Sequence, residues 1–150
     1  MSLFRRLHTN LSCKDMQSKK FYLRPDKSYC YKQSNDRIGS FLTFFDGLSL
    51  NSGDVIAIES GKSFDIYCLF LACVMRGVTY IPISQEQNLK RVLPSLNSVN
   101  VRFVVTVKQD MYKTLTQEGF KCFDVSEITN ESQDILYKKI SGDTYVYMMF

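Results

Sequence analysis

No tryptophan occurs among the 150 residues of this chain, and histidine occurs once, at His8. A single imidazole cannot build a His-rich metal site, and the five cysteines (Cys13, Cys30, Cys68, Cys73 and Cys122) include no C-x-x-C pair, so zinc-site spacing is absent. Their odd number, with Cys68 and Cys73 inside an apolar run, reads as free thiols packed as small hydrophobes. That usage points to a reducing, cytoplasmic compartment. Proline and glycine are scarce, at three and seven residues, which excludes collagen-like and low-complexity architectures. Long hydrophobic runs are missing too. The longest, Phe64 to Met75, contains Asp65 and has the length of a buried core helix, so no membrane span is expected. The glycines form neither G-x-G-x-x-G nor G-x-x-x-x-G-K-[ST], the two patterns that cradle phosphates.

What is present fits one globular domain, with 45% hydrophobic and 23% charged residues. The net charge of +4 is unevenly spread: residues 1–37 hold nine bases and three acids, and the remainder is nearly neutral. The basic segment reads as a solvated face and carries no groove-reading or single-strand motif, so no nucleic-acid partner is expected. The stretch from Met1 to Lys14 bears arginine and no acid, which gives it a faint likeness to an organellar presequence. The reading preferred here is an amphipathic first helix with Phe4, Leu7 and Leu11 on one face.

Two short aromatic runs, Phe21 to Leu23 and Ser28 to Tyr31, flank Arg24-Pro25-Asp26-Lys27 and predict a β-hairpin. Asn35 is then expected to cap a helix of about three turns in which Ile38, Phe41, Leu42 and Phe45 share a face and Gly47 ends the run. After the turn Asn51-Ser52-Gly53-Asp54, Val55 to Ile58 reads as a strand buried on both faces. Ser63 can cap the next helix, apolar all round and so expected to be buried, with Gly77 as its stop. Val78 to Ile83 predicts a strand with Pro82 near its end. Leu89, Val92, Leu93 and Leu96 predict a helix that Pro94 should kink or restart. Arg102 to Val107 reads as a strand, Gln109 to Gln117 as a helix closed by Gly119, Phe120 to Val125 as a strand or edge, and Thr144 to Phe150 as a last strand. Strands alternating with helices from about residue 53 imply an α/β fold: a mostly parallel sheet flanked by helices, preceded by a helix and a β-hairpin.

Candidate chemistry is sparse. Tyr80 and Pro82 read as packing at a strand end. His8 has no nucleophile or orienting acid nearby in sequence, and Cys122 has no histidine partner, so both read as inert. Asp54, Asp65 and Asp143 read as turn, helix first-turn and strand-start residues. No catalytic, cofactor-binding or metal-ligating residue is therefore assigned.

Leu50-Asn51-Ser52-Gly53-Asp54-Val55-Ile56-Ala57-Ile58 resembles the segment of the adenylate-forming enzymes in which a Gly-Asp turn opens a buried Val-Ala-Ile strand. Ser63 to Ser84 (SFDIYCLFLACVMRGVTYIPIS) is similar to that family's buried helix, its Arg-Gly stop and its Tyr-Val-Pro-Leu strand. Cys30-Tyr31-Lys32-Gln33-Ser34 resembles the Thr-Tyr-x-Glu-Leu that begins an earlier helix, and Leu89 to Val107 the helix and Val-rich strand that follow. Asp143 to Phe150 looks like the strand preceding the family's Thr-Ser-Gly-rich phosphate loop. The family comprises acyl-CoA synthetases, luciferases and the amino-acid adenylation domains of nonribosomal peptide synthetases. The resemblance implies a partial AMP-binding domain over residues 1–150 that stops short of the phosphate loop. It implies an ATP-dependent ligase that forms an acyl- or aminoacyl-adenylate and passes the acyl group to a thiol. ATP and Mg²⁺ are expected for the complete enzyme, and no cofactor in this chain. In that layout the nucleotide contacts and the carboxylate pocket lie beyond Phe150, so the chain alone is expected to be inactive. The alternative is a non-catalytic module that docks on an adenylation partner, such as the remainder of the enzyme, or on a carrier protein.

Overall fold

The computed structural model describes residues 3–134. Helix α1 (Leu3–Ser12) opens the chain, and Leu11 of its predicted apolar face is fully buried. A single 3₁₀ turn (Lys14–Met16) leads into the hairpin of β1 (Lys20–Leu23) and β2 (Ser28–Cys30), antiparallel as the Arg24-Pro25-Asp26-Lys27 turn predicts.

Helix α2 (Tyr31–Gly47) runs for 17 residues and starts a full turn before the predicted cap. Asn35 lies inside it, and the cap is Cys30, whose backbone N–H donates to the Gln33 side chain at 2.9 Å. That reciprocal arrangement is a capping box with cysteine in the usual serine position. The apolar repeat begins only at Ile38, after a polar first turn, which hid the true start.

A parallel sheet follows: β3 (Val55–Ser60), β4 (Thr79–Ser84), β5 (Val104–Thr106) and β6 (Cys122–Asp124), in spatial order β4-β3-β5-β6. Helices α3 (Phe64–Arg76), α4 (Leu89–Ser98) and α5 (Gln109–Gln117) make the crossovers. From β3 the chain steps outward to β4, then returns past β3 to β5 on its other side. Right-handed crossovers therefore put α3 on one face and α4 and α5 on the other. Side-chain alternation matches this layering. Ile56, Ile58 and Val105 join α2 and α3 in one core, while Ala57, Ile81, Ile83 and Val104 meet Leu96 and Leu115 in the second.

The local signals that define α3 hold. The Ser63 hydroxyl accepts the Ile66 N–H at 3.2 Å, and Gly77 closes the helix at φ 75°, a left-handed cap that glycine adopts without a Cβ penalty. Two expectations fail. Helix α3 is not buried all round: Tyr67 is 42% exposed and Phe64 and Phe70 are half-buried, because among the described residues that face meets the small hairpin and, through Phe70, Tyr80 of β4. Helix α4 runs through Pro94 as one element, without the restart offered as one alternative there. Pro94 is exposed, as is Lys90 one turn earlier, so water can satisfy the carbonyl deprived of a donor. The predicted strand from Thr144 to Phe150, and Asp143 with it, lie outside the described residues.

Candidate functional site

In open parallel sheets ligands bind beyond the carboxyl ends of the strands, where the strand order reverses. Here that point lies between β3 and β5. The reach of β3 toward it ends in Glu59, a carboxylate with no solvent exposure. Its Oε2 accepts the backbone N–H groups of Val107 and Lys108 at 2.6 and 2.9 Å, just ahead of α5. A carboxylate at a helix start is favoured by two charge-assisted hydrogen bonds and by the helix dipole. Its Oε1 is buried and has no hydrogen-bond partner among the described residues. Beside it, at the end of β6, Asp124 accepts the Ser126 N–H and hydroxyl at 2.8 and 2.6 Å and the Gln109 side chain at 3.4 Å. Both acids are engaged in holding loops.

An open concavity lies elsewhere, at the corner where the hairpin meets α3. It encloses about 640 Å³ between Tyr22 and Arg24 of the hairpin, the Gly61-Lys62-Ser63 turn, and Tyr67, Phe70 and Tyr80. The hairpin is tied to that turn by two donors on one acceptor: Arg24 Nη1 and Tyr22 Oη reach the Lys62 carbonyl at 2.7 and 3.3 Å. Aromatic contacts build the wall, with Tyr22 and Tyr67 ring centroids 5.8 Å apart and Phe70 and Tyr80 edge-to-face at 5.5 Å. Tyr80 thus lines a cavity as well as packing, which sequence reasoning missed. The missed signal was the aromatic spacing Phe64, Tyr67, Phe70 along one helix face.

The remaining singled-out residues behave as structural groups. Asp54 Oδ2 accepts the Asn51 N–H at 2.8 Å and stands 3.7 Å from Arg102, as a turn residue should. Asp65 pairs with Arg37 at 2.5 Å. Arg37 also donates to the carbonyls of Val125 and Ile128 and lies over the Phe41 ring, 4.2 Å from its centroid. His8 is half-buried on α1, and Pro82 half-buried on β4. All five cysteines are free. Burial pushes the Cys122 thiol up, against a smaller opposing hydrogen bond from Thr116, so it resists becoming a thiolate nucleophile. Cys68 is pushed up to about 12, mainly by burial and then by the Asp65 charge, with Arg37 opposing. Burial also raises Cys73 well above the thiol range.

Among the described residues no group of three or more His, Cys, Asp or Glu side chains is placed to hold a metal ion. No described helix is long and apolar enough to cross a membrane.

Comparison with known proteins agrees with this architecture. A family model described as AMP-binding enzyme matches residues 12–145. A D-alanine–D-alanyl carrier protein ligase of Streptococcus pyogenes (serotype M5, strain Manfredo) is 23% identical over 123 residues, covering 79% of this chain and 23% of the relative. The chain thus spans less than a quarter of that relative's length. A Mycobacterium tuberculosis fatty acyl CoA synthetase superposes with a TM-score of 0.81 at 16% identity, over 97% of this chain and 32% of the synthetase. An artificially fused adenylation–PCP di-domain from Klebsiella oxytoca, NpsA-ThdA, gives 0.79 at 13% identity, over 96% of this chain and 27% of the fusion.

Proposed function

The chain belongs to the AMP-binding enzymes, and from that membership we propose that it is the N-terminal part of an ATP-dependent carboxylate-activating ligase. Its part is to supply a folded scaffold for an adenylation site completed elsewhere. The family match over residues 12–145 carries this reading. The layered βαβ architecture supports it, as does the occupation of both acids at the sheet's carboxyl end by loop-holding bonds. In this reading ATP and Mg²⁺ belong to the complete ligase, and the described residues bring no reacting group. The five free thiols fit a cytoplasmic setting.

Carboxylate-dependent exchange of labelled pyrophosphate into ATP tests the proposal. The chain alone is expected to give none, and the chain continued through its downstream reading frame is expected to give exchange. Exchange by the 150 residues alone overturns the scaffold role, and its absence in the extended protein overturns the ligase assignment. A second reading, docking on an adenylation partner or a carrier protein, draws on the exposed Tyr67 and Leu23 at the hairpin corner. Retention of such a partner by the purified chain supports it, and a monodisperse monomer that retains neither counts against it.

A further inference from the structure

The cavity at the hairpin–α3 corner has the size of a small-molecule site, within the range of roughly 300–1,000 Å³. Its composition is one-sided. Two cations, Arg24 and Lys62, line it, and among the described residues no Asp or Glu does. Arg24 has a partial counter-charge in Asp26 at 3.7 Å. Lys62 is exposed and has no ion pair among the described residues. Ser63, the N-cap of the 13-residue helix α3, borders the same rim and brings the positive end of the helix dipole to it. Below that rim the wall is apolar: Ile66, Tyr67, Phe70 and Tyr80. Leu23 and Tyr67, the two large hydrophobic residues most exposed among the described ones at 65% and 42%, both belong to this corner. Positive charge is therefore gathered at one end of an open aromatic trough.

We propose that this corner binds an amphipathic organic anion, a carboxylate on an aromatic or acyl body. The carboxylate takes the Gly61–Ser63 rim beside Lys62, and the body lies against Tyr67, Phe70 and Tyr80. Burial of the body supplies affinity, and the one-sided charge selects the head group. The site is built from Tyr22, Arg24, the Gly61-Lys62-Ser63 turn, α3 and Tyr80 of β4. It is independent of the ligase reading and stands or falls without any adenylation activity.

Titration of the full chain with 4-phenylbutyrate and with the neutral 4-phenylbutanol, followed by amide chemical shifts, tests the proposal. Shifts are expected at Gly61, Lys62, Ser63, Tyr67 and Tyr80, with the alcohol binding about tenfold more weakly, the factor that corresponds to 1.4 kcal/mol. Lys62→Ala, a change at an exposed side chain, is expected to remove that preference while the alcohol binds as before. Tyr67→Ala is expected to weaken both ligands together. Equal affinity for acid and alcohol overturns the charge assignment. Shifts at another surface, or no binding by a well-dispersed monomer, overturn the site. Self-association that protects Tyr67 and excludes both ligands assigns the corner to a second copy of the chain and overturns the proposal as well.

Discussion

The two faces of the sheet are built differently. Toward α2 and α3 the buried layer is aromatic and deep, with Phe41, Phe44, Phe45 and Phe103 among its members and Phe103 edge-to-face with Phe44 and Phe123. Toward α4 and α5 the buried layer is aliphatic and smaller, held by Ile81, Ile83, Leu96 and Leu115, and among the described residues no aromatic side chain is fully buried there. The first layer joins the hairpin side and the sheet into one body, whereas the second lays two short amphipathic helices over strands that already pair. Stability should thus concentrate in the α2–α3 layer, and the α4–α5 layer should tolerate more.

Alkaline pH should break the first layer most strongly. Cys68 and Cys73 both sit on α3, and both hold their protons more tightly folded than the ordinary thiol value of 9.0. Their contribution is fully present below about pH 9 and is lost as pH rises from there, through about 12 for Cys68. The unfolding free energy from urea denaturation should fall with a slope approaching about 1.4 kcal/mol per pH unit for each thiol. A Cys68→Ala, Cys73→Ala double variant should show a flatter profile, and an unchanged slope would remove the thiols from the account.

Truncations compare the layers directly. Phe45→Ala should cost about 4 kcal/mol and Leu96→Ala about 3 kcal/mol in urea denaturation, and the reverse order would refute the contrast. Glu59→Ala removes the shared acceptor of the Val107 and Lys108 N–H groups ahead of α5 and should cost about 2 kcal/mol. Its effect should appear as faster amide exchange in α5 with α3 unchanged, which sharpens the separation of the two faces. The smallest effect expected is Ser63→Ala, about 1 kcal/mol from the lost cap of α3, read from the thermal midpoint.

The elements most legible in sequence were those with punctuation at both ends. Ser63 and Gly77 bracket α3, and the Asn51-Ser52-Gly53-Asp54 turn sets the start of β3. Where punctuation was replaced, the reading slipped. Cys30 does the work of a serine cap, so Asn35 attracted a role it does not have. Pro94 was expected to kink or restart a helix that continues through it on an exposed face. The site features were less legible because they depend on distance. Glu59 meets partners 48 and 49 positions away, and the trough exists only because Arg24 and Tyr22 reach the Lys62 carbonyl across 38 and 40 positions. An all-apolar helix such as α3 says that burial is available, and the coverage it receives is decided by what docks on it.

Arg37 gives one of these long connections a meaning in time. Its guanidinium meets Asp65 after 28 intervening steps of chain but the carbonyls of Val125 and Ile128 only after 88 and 91. At a synthesis rate of about 5–20 residues per second, some 4–18 seconds separate the making of Arg37 from the making of Ile128. Through that interval Asp65 is the partner at hand, so α2 and α3 can associate early while the lock on residues 125–128 waits. The nascent chain therefore carries a half-used cation whose last two bonds record that β6 has been made.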